Sequence, residues 1–335
     1  MTGLRGLGAI LRGAGLAAVC AIVGACGPSR AGQAGLILER TIPLPGVVGR
    51  IDHLAIDLAG GRLFVAALGN NTVEVVDLRT GGRLAQVRGQ VEPQGLAWLP
   101  ERGELVVASG DGQVGVYAGA DLKRVALVKV GEDADNVRVD GAGRAVVGYG
   151  AGALATLDPA SRAVVATVRL PAHPESFRID GSRAFVNLPD ARQTAVVDLT
   201  TGAVTATWPT LRPRWHFPMA LDKAQGLLAI ADRLPARLRL LDMADGHTVL
   251  ETGVCGDSDD LFFDDKRRRL YVICGSGDVD VFESARGASY VRTARIATRK
   301  GARTGLFVPE DDRLYVAARA VGSESAALLV YRPAP

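Results

Sequence analysis

Apolar runs of four to seven residues alternate with turns rich in Asp, Gly and Pro along most of this chain, and the alternation is periodic. The first apolar residue of the innermost run in each unit is Leu54, Leu96, Val137, Phe177, Met219, Leu261 and Leu306. Successive spacings are 42, 41, 40, 42, 42 and 45 residues. A unit of that length is too short to fold as a domain of its own. Four short strands repeated at a period of about 40 residues predict blades arranged around a central axis, a β-propeller. The pattern therefore predicts an all-β protein of seven blades, each a four-stranded antiparallel sheet. No stretch of helical periodicity interrupts it.

Within a unit the second run is the clearest: Arg62-Leu63-Phe64-Val65, Arg183-Ala184-Phe185-Val186, Arg269-Leu270-Tyr271-Val272 and Arg313-Leu314-Tyr315-Val316. Their β-branched and aromatic residues favour strand over helix. The third run ends in Asp at Asp77, Asp158, Asp198 and Asp242, each followed by a turn. A carboxylate there can accept backbone N–H groups two residues on, so these four are read as turn-closing rather than chemical. The seventh unit ends after its third run, Ala327-Leu328-Leu329-Val330-Tyr331, and an unpartnered run from Leu36 to Ile42 precedes the first. Joining the two predicts that the N-terminal strand closes the last blade, which removes an open sheet edge.

The units resemble those of the YVTN-repeat β-propellers, the YncE-like proteins of bacterial envelopes. The resemblance is carried by Gly69-Asn70-Asn71-Thr72-Val73-Glu74-Val75-Val76-Asp77 with Thr80-Gly81 behind it, by Arg269-Leu270-Tyr271-Val272, and by the strand–turn spacing. It spans roughly residues 36–332, and it departs from the pattern at Ala118 and Glu283, where the third strand's Asp is expected. It implies the fold and an envelope location but no particular activity.

Residues 1–25 have the charged start (Arg5, Arg12) and the short apolar stretch (Gly13 to Ala25) of a secretory signal, too short to span a membrane as a helix. Val23-Gly24-Ala25-Cys26 resembles a bacterial lipobox, so Cys26 is expected to carry a lipid that holds the protein to a membrane. Residues 26–35, small and polar, then form a tether to a propeller domain at 36–335. The expected location is the periplasm or the cell surface. Cys255 and Cys274, at the facing ends of two predicted strands, are either disulfide-bonded in that oxidising compartment or two unlinked small residues. Arginine outnumbers lysine 34 to 5, which fits base composition better than function, and the net charge is only +3. No dense basic run or aromatic–basic interleaving occurs, so nucleic acid is not an expected partner, and a monomer is expected.

In a propeller the loops that lead into the innermost strands share one face with the loops joining strands two and three. The residues two before each innermost apolar position are Asp52, Gln94, Asp135, Glu175, Phe217, Asp259 and Thr304, with His53, Asn136, His216, Asp257, Asp260 and Arg303 as neighbours. The candidate ligand or metal residues at this channel mouth are Asp52, His53, Gln94, Asp135, Asn136, Glu175, His216, Asp257, Asp259 and Arg303. Carboxylate and amide oxygens suit Ca²⁺ or Mg²⁺, and imidazoles suit Zn²⁺. A water-filled polar channel accounts for the same residues, since two carboxylates about 8 Å apart repel by only about 0.5–2 kcal/mol. Arg214, Arg233, Arg237, Arg303 and Arg319 lie in or near these loops and can pair with the acids or hold an anion.

The sequence has no Gly-x-Ser-x-Gly, no His-Glu-x-x-His, no Walker loop and no Cys-x-x-Cys-His. These absences favour an exported, lipid-anchored binding module for an envelope protein or small ligand, with no established cofactor. The second reading is a metal-dependent hydrolase or lyase similar to lactonase-like propellers, with Asp52, Asp135, Glu175 and Asp259 around the cation and His53 or His216 as acid/base. A purely structural envelope part is the third.

Overall fold

The computed structural model describes residues 35–210 and 215–335. The signal segment, Cys26, most of the tether and Arg214 lie outside them. Gly35, the last residue assigned to the tether, is already docked, its carbonyl accepting the Ala334 N–H at 3.1 Å.

Every blade is a four-stranded antiparallel sheet, and there are seven. Six are built from consecutive strands, beginning with Leu54–Asp57, Arg62–Ala67, Thr72–Asp77 and Arg83–Arg88. The seventh is closed as the pattern predicts. The N-terminal strand Leu36–Pro43 lies antiparallel to Ala327–Pro333, with Leu36 opposite Pro333 and Pro43 opposite Ala327. Both termini of the ring are thereby hydrogen-bonded to each other.

Seven apolar clusters hold the ring, one at each blade–blade junction. Leu63, Val65, Tyr315 and Leu328 join the first blade to the seventh, and Val107, Leu105, Phe64 and Val75 join the second to the first. The second strand of each blade sits in the middle of this packing, which is why its sequence is the clearest: Leu63 to Ala67 are fully buried. The outermost strands face water, and their exposed residues blur their pattern. The third-strand aspartates close turns. Asp77 accepts the N–H groups of Arg79 and Thr80, both at 2.8 Å, and Asp198 those of Thr200 and Thr201 at 2.8 and 3.0 Å.

Two backbone features aim residues at the channel. In the second, third, fifth and sixth blades the innermost strand slips register just before its apolar marker. The residue four before the marker in each of these blades (Glu92, Asp133, Trp215 and Asp257) is left-handed, with φ of 51, 51, 39 and 59°. A non-glycine residue there costs on the order of 1 kcal/mol. Its carbonyl is compensated by an N–H at or just past the end of strand two: Gly110, Gly150, Arg233 and Gly275 donate to Glu92, Asp133, Trp215 and Asp257. These bonds also bring the two loop sets onto one face, here the mouth face. The slipped residues leave the ladder, and Asp135, Asn136, Phe217 and Asp259 among them line the channel mouth, as bulges beside sites do.

Candidate functional site at the channel mouth

Arg50, Asp52, His53, Asp135, Asn136, Glu175, Ser176, Phe217 and Asp259 surround a recess of about 20 Å³ on the mouth face. That is room for one water or one ion. Six of the ten candidates from the sequence come together here. Four do not line it. Gln94 is buried and donates to Asp133 at 3.1 Å. His216 is buried with its Nε2 near the Gln193 carbonyl at 3.1 Å, and burial lowers its pKa, so it is a neutral structural group. Asp257 and Arg303 lie on the rim and pair with each other at 3.2 Å.

The acids of the mouth are matched by arginines. Arg50 reaches Asp52 at 2.7 Å, an ion pair without hydrogen-bond geometry at Asp52 Oδ2. Asp259 is held between Arg303, at 3.0 Å, and Arg233, in short contact, and Arg233 also lies 3.4 Å from Asp257. Arg233 in turn packs on Phe217 with its guanidinium carbon 3.8 Å from the ring centre. Asn136 is oriented at both ends. Its amide donates to the Glu175 carbonyl at 2.7 Å and its oxygen accepts from Arg138 at 2.8 Å.

Two carboxyls escape this pairing. Burial, reinforced by Asp52 and Glu175, pushes Asp135 up to about 7, and its Oδ1 has no partner. Burial and the Asp259 charge push Glu175 up to about 7, against Arg233 and Arg50. His53 goes the other way for an imidazole. Burial alone would lower it, but Asp260, 3.5 Å from Nδ1, together with Asp52 and Asp135, raises it to about 9. At neutral pH the mouth is therefore a nearly balanced network in which Asp135 and Glu175 are each partly protonated. Among the described residues no group of three or more His, Cys, Asp or Glu side chains is arranged to hold a metal ion.

Arg50 was not among the candidates, although the sequence carried its signal. It sits four before Leu54, the position occupied by Glu92, Asp133, Trp215 and Asp257 in other blades. A second ring read at that offset contains it. Cys255 and Cys274 are bonded, with Cα atoms 5.8 Å apart, and the Cys255 N–H donates to the buried Asp280 at 2.9 Å. The bond pins the segment that leads into Asp257 and Asp259.

Comparison with known proteins confirms the architecture and stops there. No protein-family model matches the chain, and no curated protein does. Among solved structures it is similar to a chain of the mitotic checkpoint complex, at 15% identity and TM-score 0.76 over 99% of both chains. It is also similar to a chain of Kuenenia stuttgartiensis hydrazine synthase, at 18% identity and TM-score 0.64 over 89% of this chain and 99% of that one. At such identities the shared feature is the propeller fold.

Proposed function

We propose that this chain is an exported, lipid-anchored β-propeller of the YVTN-repeat type that serves as an interaction module, docking an envelope protein on its mouth face. One observation carries the reading. Six large apolar side chains in loops are exposed among the described residues, and five of them (Val48, Val91, Trp215, Leu234 and Val321) lie in loops of the mouth face. Only Leu58 lies in a turn at the other end. Exposed apolar side chains gathered on one face and rimmed by charge are the usual mark of a protein-binding surface.

Trp215 and Leu234 form an adjacent pair within it. Trp215 is 56% exposed and Leu234 63%, and the backbone bond from Arg233 N–H to the Trp215 carbonyl sets their loops side by side. The surface is preorganised: Asn70 accepts from the Val48 N–H at 2.8 Å and donates to the Gly46 carbonyl at 2.9 Å, fixing the loop that carries Val48. The similar chain of the mitotic checkpoint complex is itself part of a protein assembly. A recess of about 20 Å³, with Asp52 and Asp259 already paired to arginines, suits a docking face better than a hydrolase site.

The test is photo-crosslinking in cells, with the reactive residue placed at Trp215 or at Leu58. A discrete protein adduct from Trp215 and none from Leu58 is expected, and loss of the Trp215 side chain should weaken the complex by about 2 kcal/mol. Equal labelling from both ends, or none from Trp215, overturns the docking face. The anchor is tested separately by Cys26→Ser, which should move the protein from the membrane to the soluble fraction.

A further inference from the structure

Below the recess the channel widens into a cavity of about 320 Å³ whose wall is mostly apolar, including Leu54, Ile56, Trp98, Phe262 and Leu306. Val139, at the far end of its strand and 38% exposed, also lines it, so the cavity reaches solvent at the face opposite the mouth. Two guanidinium groups stand in this wall, Arg138 and Arg178. They occupy the position after the apolar marker, which is alanine or phenylalanine in the other five blades.

Neither arginine has a carboxylate within 4 Å among the described residues, unlike those at the mouth. Arg138 donates to the Val137 carbonyl at 2.7 Å and the Asn136 side chain at 2.8 Å. Arg178 donates, from Nη1 alone, to Ser176 at 3.2 Å and the Phe177 carbonyl at 3.0 Å. Every acceptor is neutral, and the Arg178 Nη2 and Nε donors are unused, although a guanidinium carries five N–H groups in a fork that matches a carboxylate. The one carboxylate in the wall is already engaged. Asp260 accepts the Gly305 N–H at 3.0 Å and faces His53 at 3.5 Å. Burial, and the charge of Arg138 next to it, hold the Arg178 guanidinium well below its ordinary value, and burial lowers Arg138 against the pull of Asp260 and Asp135. Two like charges stand together with donors that no carboxylate takes up, in a cavity open to solvent where an anion can reach both.

We propose that this cavity binds a small organic anion, a carboxylate with an apolar body, whose charged end sits on Arg138 and Arg178 and whose body lies against Trp98, Phe262 and Leu306. Its size is at the lower end of small-molecule sites, and a largely apolar wall with a few convergent polar groups is their usual make-up. The site opens away from the docking face and does not depend on it.

Isothermal titration of the whole mature protein with phenylacetate, hexanoate, neutral phenylacetamide and inorganic phosphate tests this. Saturable binding of a carboxylate is expected, with phenylacetamide and phosphate each weaker by about tenfold or more. Arg138→Gln and Arg178→Gln should each weaken carboxylate binding by about tenfold or more, while Arg50→Gln leaves it unchanged. Circular dichroism and thermal melting report whether each variant is folded. No saturable binding of either carboxylate up to about 10 mM overturns the site. So does equal affinity for phenylacetamide, or undiminished binding in a folded Arg178→Gln variant. Crosslinking from Trp215 should be the same in Arg138→Gln and Arg178→Gln, so the two proposals fail separately.

Discussion

The two ends of the channel hold similar chemical groups under opposite conditions. At the mouth, Asp52 and Asp259 lie against Arg50, Arg233 and Arg303, and the space between them is about 20 Å³. Below, Arg138 and Arg178 face a largely apolar wall around about 320 Å³, whose other charged groups are Asp260 and the His53 it engages. The mouth is richer in charge and yet is closed on itself. The lower cavity is poorer in charge and has a surplus. Binding capacity follows the charge that the protein leaves unmatched in a space large enough to be filled, not the number of charged residues.

His53 lines both ends and Asp260 holds it, so the removal of Asp260 should break the contrast most severely. Asp260→Ala leaves the partly buried His53 without its nearest anion and the Gly305 N–H without an acceptor. The expected loss is about 3 kcal/mol in denaturant unfolding. The His53 imidazole, raised to about 9 in the intact protein, should titrate far lower by NMR. A variant as stable as the parent would show that the pair does not hold the ends apart.

Asp135→Asn should act in the opposite direction. The folded carboxyl titrates at about 7, well above its unfolded value, so the folded state binds the proton more tightly. The stability this gives is complete below about pH 4 and is lost as pH rises through 7. Glu175, also at about 7, adds a loss over the same window, and His53 adds one between its unfolded value and about 9. All three slope the same way. Asparagine cannot ionise, so the variant should gain on the order of 1–3 kcal/mol at pH 8 and little at pH 4. A parent protein that is more stable at pH 8 than at pH 5, with no gain in the variant, would refute the balance described for the mouth.

The smallest expected effect sharpens the comparison most. Arg178→Met replaces an unmatched, partly buried charge with an apolar side chain of similar length. Without ligand it should be more stable than the parent by about 1 kcal/mol, and with saturating phenylacetate less stable. The crossover is read from paired unfolding curves. The same substitution at Arg233, whose charge is matched by Asp259, should only destabilise.

The repeat was legible because each innermost and second strand must bury both faces, so its apolar residues return at a fixed interval whatever the loops do. Leu63-Phe64-Val65 and Leu270-Tyr271-Val272 show this directly, each buried to the last atom. Closure by Leu36–Pro43 was legible too, since seven units with one strand missing and one to spare have one economical solution. The site was read only partly. The offset that found Asp52, Asp135, Glu175 and Asp259 samples one level of the channel, whereas Arg50 stands one level above and Arg138 and Arg178 one level below.

The sequence by itself determined the number of blades, the strands within them, the turn-closing aspartates and the face on which the polar loops gather, because all of these follow from local periodicity and turn chemistry. Only the tertiary structure decided which charges are matched. Asp259 finds Arg233 and Arg303 across blade boundaries, Cys255 finds Cys274 along one blade, and Arg138 and Arg178 share a wall with Asp260 without an ion pair to it. Pairing depends on distances of a few ångströms between residues tens of positions apart, and on left-handed residues and bulges that re-aim them. A one-dimensional pattern carries no such distances. They appear when the seven blades close around a common axis.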